Sequence, residues 1–213
     1  LQLLDRPELS IHILSSERKV VAAGIVNHEG GLDAEMSESI YQGKRRPKGN
    51  LVPQILTFQL GIPQAATLTT NRIMRIAVHP SYQQNHLGSQ LLSRIKEHSS
   101  VDYLSSSFGL HADLLHFWKA SEYHIAYLGL KREASSGYHS AVMLCPLTPK
   151  AETLLQEAQL AFKRHFCAQL SDILKFYEPA LALALLSAEL PKSGAVLSLQ
   201  EHRDIKRFAD GTC

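Results

Sequence analysis

The stretch Arg72–Leu92, RIMRIAVHPSYQQNHLGSQLL, decides the fold. Ile73, Ile76 and Val78 form an apolar strand that stops at His79-Pro80. A polar turn follows, SYQQNHLGS, and the pair Leu91-Leu92 then opens a helix. A helix that begins directly after a strand and a polar turn offers the free N–H groups of its first turn, and its dipole adds partial positive charge there. Such an end suits a pyrophosphate. The segment therefore reads as the cofactor grip of an enzyme.

Outward from this stretch, short strands and helices alternate. Ile11–Leu14 and Val20–Val26 read as two strands joined by the polar turn SSERK. Asp33–Gly43 is polar with spaced Met36, Ile40 and Tyr41, a helix pattern. Gly43–Gly49 is a basic loop, and Asn50–Gly61 reads as helical with Pro53 near its start. Ile73–Val78 is the central strand and Gly88–His98 a helix. Tyr103–Phe108, Ile125–Leu130 and Ser140–Leu144 read as strands, with a helix over Asp113–Ser121. This order argues for an α/β layer with some antiparallel hairpins.

After Pro146 and Pro149 the pattern becomes helical, with Leu155, Ala158, Phe162, Phe166, Leu170 and Ile173 near helical spacing over Lys150–Phe176. Pro179 stops that helix and starts another, and Ser198 with Glu201 forms a capping-box pattern for a last one. The tail is amphipathic and reads as packing against the rest of the chain. Lys163, Arg164 and His165 give it a second reading, a surface facing RNA.

Bulk properties narrow the class. A chain of 213 residues fits one domain plus an appendage, or two small ones. With 45% hydrophobic and 20% charged residues, a substantial core is expected and wholesale disorder is not. A net charge of +2 falls short of a free-standing nucleic-acid binder, so any RNA contact is local. Cys145, Cys167 and Cys213 are widely spaced with no C-x-x-C pair, which favours neither zinc nor a disulfide framework and fits a reducing cytosol. No secretory signal opens the chain, and Pro179–Leu190 is too short to span a bilayer. His111 and His116 lack the H-E-x-x-H arrangement, so no metal site is read.

The loop Gln83, Gln84, Asn85, His86, Leu87, Gly88 resembles the pyrophosphate loop Q/R-x-x-G-x-G/A of the GNAT N-acetyltransferases, with His86 in the place of the first glycine. Its flanks sharpen the resemblance: KRRPKGNLVPQ (Lys44–Gln54), DYLSSSFG (Asp102–Gly109), DLLHFWKASEY (Asp113–Tyr123) and REASSGYHSAVML (Arg132–Leu144). In this order they resemble the acetyltransferase domain of the tRNA(Met) cytidine acetyltransferases. The likeness covers roughly residues 1–150, and the helical tail more loosely.

The resemblance implies an α/β GNAT fold, a mixed central sheet flanked by helices, over residues 1–148, with an all-helical appendage over 149–213. It implies acetyl-CoA as acetyl donor and the 4-amino group of the wobble cytidine of elongator tRNA(Met) as acceptor. The backbone of Ile76, Ala77 and Val78 would hold the acetyl and pantetheine portions, and Gln83, Gln84, Asn85, His86, Leu87, Gly88 and Ser89 the pyrophosphate. Asp113 matches a cofactor-contacting position, though a plain helix-start acid explains it equally. Arg75 would orient the thioester or bind the RNA backbone; a structural salt bridge is the rival reading. Lys44, Arg45, Arg46 and Lys48 would meet RNA phosphates, and the hairpin Arg132–Gly137 would lie beside the substrate cleft.

The resemblance also implies ATP, with Mg, used only by a helicase-like module that this sequence does not contain. The chain begins at Leu1 with no methionine and reads as a fragment, a cytoplasmic monomer without membrane attachment. Alone, it is expected to bind acetyl-CoA yet modify RNA poorly.

Two residues depart from the family pattern. If the loop needs positive φ at His86, a side chain there costs about 1–2 kcal/mol. Trp118 stands where many relatives carry a tyrosine that protonates the leaving thiolate; an indole is no such donor, and a core role is the plainer reading. Two rival functions stay open: an acetyltransferase for a protein or small-molecule amine, and an RNA-binding module with a degenerate cofactor site.

Overall fold

The computed structural model describes residues 6–134 and 136–187, together with Arg203, Ile205 and Ala209. β1 (Leu9–Ser16) and β2 (Lys19–Gly30) form a hairpin whose turn residues, Glu17 and Arg18, both take positive φ, 49° and 63°. That is the primed turn that matches strand twist. α1 (Ala34–Tyr41) follows, capped by Asp33, whose Oδ1 accepts from the Met36 N–H at 2.7 Å. The expected helix over Asn50–Gly61 is instead two pieces: α2 (Leu51–Gln54), then a π-helical turn over Ile55–Gln59.

β3 (Thr69–Val78) leads through a 3₁₀ turn at Pro80–Tyr82 to α3 (Leu87–Glu97). β4 (Tyr103–Gly109), α4 (Ala112–Ala120), β5 (His124–Arg132) and β6 (His139–Pro146) complete the layer. One six-stranded sheet results, in the order β1-β2-β3-β4-β6-β5. Among the described strands only the β3–β4 pair is parallel.

The sheet is covered on both faces. Leu91, Leu92 and Ile95 of α3 pack with Leu104, Ile125 and Met143. Val52 and Leu56 pack with Tyr103, Val142 and Leu144, the alternate residues of the same strands. α2 and α3 therefore lie on opposite faces. α5 (Pro149–Leu170) lies along β5 at the sheet edge and feeds both cores, through Leu154 and Ala158 on one side and Phe162 and Phe166 on the other.

Of the apolar tail positions, Leu155, Ala158, Phe162 and Phe166 are buried, whereas Ile173 is exposed. The helix ends at Leu170, earlier than the periodicity predicts, and α6 (Pro179–Leu186) begins at the expected proline. The capping-box pattern at Ser198 and Glu201 lies outside the described residues. Among the described residues no helix is long and apolar enough to cross a membrane, and no cluster of three or more His, Cys, Asp and Glu side chains is arranged to hold a metal ion.

Candidate active site

The parallel ladder between β3 and β4 is short. It runs from Thr70 opposite Tyr103 to Ile73 opposite Ser106, and there it stops. Ser106 closes it by donating its hydroxyl to the Ile73 carbonyl at 3.1 Å. Beyond this latch β3 continues through Met74–Val78, paired only with β2, and β4 continues through Ser107–Gly109, paired only with β6. Two strand edges thus diverge with backbone N–H and C=O groups turned toward the gap. Such groups demand partners, and an extended ligand carrying amides supplies them.

A bulge accounts for the divergence. Ile25 of β2 pairs with Arg75 and Val26 with Ile73, so Met74 is an extra residue on β3. A bulge bends its strand and re-aims the side chains that follow. Simple alternation places Ile73, Arg75 and Ala77 on one face and Arg72, Met74 and Ile76 on the other. The structure corrects this: Ile73, Ile76 and Val78 all pack into the core under α3, and Arg75 and Ala77 are exposed on the opposite face.

The gap opens toward the start of α3. Gln83 donates its side-chain N–H to the Val78 carbonyl at 3.3 Å, and Asn85 donates to the carbonyls of Tyr82 and Gln83 at 3.3 and 3.2 Å. Gln84 and His86 take left-handed backbone, φ 62° and 57°. His86 is the N-cap of α3, and no side chain caps the helix. A left-handed residue followed by helical ones turns successive N–H groups to one side, an anion-binding concavity. The N–H groups of Leu87, Gly88 and Ser89 form its floor. A depression of about 260 Å³ lies over them, bounded by Val78, the loop and Phe117.

Gly88 fixes how close the layers come. A Cβ there would sit 3.1 Å from Cε2 of Phe117 on α4 and 3.7 Å from the Val78 side chain. Without a side chain, the α3 N-terminus seats against α4 at the mouth of the gap. On the far rim, Gly109 ends β4 beneath the β5–β6 hairpin: a Cβ on Gly109 would lie 2.8 Å from Ser136 Oγ. Tyr138 of that hairpin meets the His111 ring at 5.4 Å.

The GNAT acetyltransferase 2 family profile matches residues 1–100 and 94–148. The chain belongs to this family. Two curated relatives are both named tRNA(Met) cytidine acetyltransferase TmcA. That of Nitrosococcus halophilus is 40% identical over 212 residues, covering 98% of this chain and 28% of the relative. That of Actinobacillus pleuropneumoniae is 38% identical over 174 residues, covering 79% and 29%. The chain thus spans less than a third of the length of these relatives. Among solved structures, a ribosomal-protein-S18-alanine N-acetyltransferase from Escherichia coli aligns with a TM-score of 0.45 and 13% identity, over 69% of this chain and 74% of that one.

Within this GNAT domain the expected cofactor residues fall together: Ile76, Ala77 and Val78 on the free edge of β3, and Gln83–Ser89 at its exit. Asp113 stands one helical turn before Phe117, with its side chain 99% exposed and 4.0 Å from His111 Nδ1. Arg75 and the loop carrying Lys44, Arg45, Arg46 and Lys48 lie across the sheet from α3; all five side chains are exposed.

The buried ion pair on this strand is made by Arg72, whose Nε donates to Glu29 Oε1 at 2.6 Å. Glu29 also accepts from Asn27 at 2.9 Å and from the Val52 N–H of α2 at 3.1 Å. Trp118 is buried, stacked on Phe108 at 5.5 Å and edge-on to Tyr123 at 4.7 Å. It is a core residue. Sequence reasoning missed Met74, Ser106 and Phe117. Only Ser106 left a trace, as a hydroxyl in a run of buried strand residues.

Proposed function

We propose that this chain is the acetyl-transfer part of a tRNA(Met) cytidine acetyltransferase. It takes acetyl-CoA as donor and the 4-amino group of the wobble cytidine of elongator tRNA(Met) as acceptor. The observation that carries the reading is the divergence of β3 and β4 beyond Ile73 and Ser106, leading straight to the uncapped start of α3. The chemistry of this groove fits acetyl-CoA: strand edges for the pantetheine amides, a polarising N–H for the thioester carbonyl, and a cationic helix end for the pyrophosphate.

The acceptor defines what the remaining residues do. The 4-amino group of cytidine is amide-like and uncharged, so no strong base is needed to expose its lone pair. Positioning, carbonyl polarisation and removal of one proton as attack proceeds are the demands. The edge of Ile76, Ala77 and Val78 fixes the thioester. Arg75, exposed across the sheet from α3, orients the approaching strand. Lys44, Arg45, Arg46 and Lys48 hold its phosphates, and Asp113 contacts the cofactor at the groove mouth. Attack of the amino nitrogen forms the amide bond, the C–S bond breaks to release the CoA thiolate, which takes a proton from solvent, and the amino proton leaves to solvent. ATP hydrolysis by a separate helicase-like module presents the RNA, while the helices Pro149–Leu170 and Pro179–Leu186 form an appendage to the transfer domain at 1–148.

The TmcA relatives favour cytidine over a protein or small amine as acceptor. The test is nucleoside analysis by mass spectrometry. Elongator tRNA(Met) is incubated with acetyl-CoA, ATP and a protein in which this chain replaces the matching segment of a full-length relative. N4-acetylcytidine at the wobble position supports the assignment; acetylated protein lysines or polyamines with unmodified tRNA overturn it.

A further inference from the structure

Across the sheet from the cofactor groove, a cavity of about 180 Å³ lies between the basic loop and the π-helical turn. Its walls are apolar, from Ile40, Leu51, Ile55 and Phe58, and Arg45 and Arg46 flank them. The Arg46 guanidinium carbon stands 5.4 Å from the Phe58 ring centre, a cation–π distance. None of the lining residues belongs to β3 or β4. A group held here is therefore not the one presented to the thioester.

The cavity is preorganised. Gln54 donates its side-chain amide to the carbonyls of Pro47, Gly49 and Asn50 at 2.9, 2.6 and 3.1 Å. Asn50 in turn accepts from the Gly30 N–H at 2.7 Å, tying the loop to the sheet. A loop already fixed loses little entropy when it binds. The π turn, closed by the Leu60 N–H to the Ile55 carbonyl at 3.2 Å, sets Phe58 into the cavity wall. Such turns recur at functional sites.

Size and chemistry choose the occupant. The volume is below the roughly 300–1,000 Å³ of sites that enclose a whole small ligand. It suits one planar ring whose remainder stays in solvent. Apolar walls, one aromatic ring and the Arg46 guanidinium over it are the components of a base-stacking platform, and Arg45 with the other cations of the loop suits the phosphates on either side. We infer that this cavity receives one unstacked base of the RNA substrate, a neighbour of the acetylated cytidine, stacked against Phe58 and Arg46. The inference rests on the reading of the chain as an RNA-directed acetyltransferase, and it adds a base contact to a loop otherwise read as gripping phosphate alone.

The test measures anisotropy of a short fluorescein-labelled single-stranded RNA with the whole chain, against the same backbone carrying abasic sites. Phe58→Leu keeps the apolar wall and removes the aromatic face; Phe58→Trp keeps both. The leucine variant is expected to bind the RNA about tenfold more weakly with an unchanged salt slope, and the tryptophan variant to bind as the parent does. The abasic RNA is expected to be indifferent to Phe58, and Lys48→Ala to lower the salt slope by about one. Equal RNA binding by parent and leucine variant overturns the inference, as does an equal loss on the abasic strand. Acetyl-CoA titrated into the same samples separates the two readings: its affinity is independent of Phe58, and its failure to bind the parent would sink the transferase assignment instead.

Discussion

Ser106 and Ile73 are the last partners of the only parallel ladder in the sheet, and the Ser106 hydroxyl donates to the Ile73 carbonyl at 3.1 Å. The bond sits at the apex of the gap between β3 and β4. It fixes where pairing stops and where a ligand begins. Both residues are buried, so Ser106→Ala leaves a carbonyl without its side-chain partner. The expected loss is about 1 kcal/mol, or about 2–4 °C in melting temperature for a chain of this size. Calorimetric melting of the two proteins checks it. Acetyl-CoA should protect the variant less, because the groove apex loosens.

His86 occupies a left-handed position, φ 57°, at the cap of α3. Histidine tolerates that region better than branched residues do. His86→Gly should bind acetyl-CoA as tightly as the parent or up to several-fold tighter, since about 1–2 kcal/mol of backbone strain is relieved. His86→Val should bind at least tenfold more weakly. Titration calorimetry on the three proteins decides it, and equal affinities throughout would show that this cap does not touch the ligand.

A methyl group on Gly88 would stand 3.1 Å from Phe117 Cε2, close enough that the ring must give by a few tenths of an ångström. Gly88→Ala is expected to push the start of α3 away from α4 and weaken acetyl-CoA binding about tenfold, of order 1.4 kcal/mol. Phe117→Leu should restore part of the loss when combined with it. Additivity of the two substitutions would contradict a shared contact.

Arg72 and Glu29 form a pair with side-chain exposures of 13% and 0%. Removing one partner strands a buried charge. Arg72→Met should lower stability by about 3–5 kcal/mol in urea unfolding. Adding Glu29→Gln, which keeps acceptor oxygen for Asn27 or Val52 but no charge, should recover part of that loss.

Asp102 ties the start of β4 to the start of β3 and to the cap of α5. Burial pushes its carboxyl up, but hydrogen bonds from the Thr69 N–H and hydroxyl and from Thr148, with Lys150 nearby, outweigh that and hold it below its ordinary value of 3.8. A depressed native value contributes stability above the ordinary one, lost as pH falls from there through the native value. The melting temperature should therefore drop more steeply with acid in the parent than in Asp102→Asn over that interval.

The order of strands and helices was legible because periodicity and capping residues are local signals: Asp33, Pro149 and Pro179 all stand where helices begin. The polar turn between β3 and α3 was legible for the same reason. The faces of β3 were not. One extra residue, Met74, reverses the alternation for Arg75 and Ala77, and nothing in RIMRIAV marks it. The Arg72–Glu29 pair joins residues 43 apart in sequence, and no local signal in the strand marks it. Asn50–Gly61 carries the composition of one helix, yet the chain passes into a π turn after Gln54. What remained hidden depends on register and on contacts between distant strands.

The most direct measurement of the central claim is a calorimetric titration of acetyl-CoA into the purified chain, with Gly88→Ala and Ser106→Ala alongside. Saturable one-to-one binding is expected, displaced by CoA and weakened by both substitutions. Absence of binding by a folded parent chain, or binding that ignores both positions, would contradict the claim that the splayed strands and the start of α3 form the cofactor site.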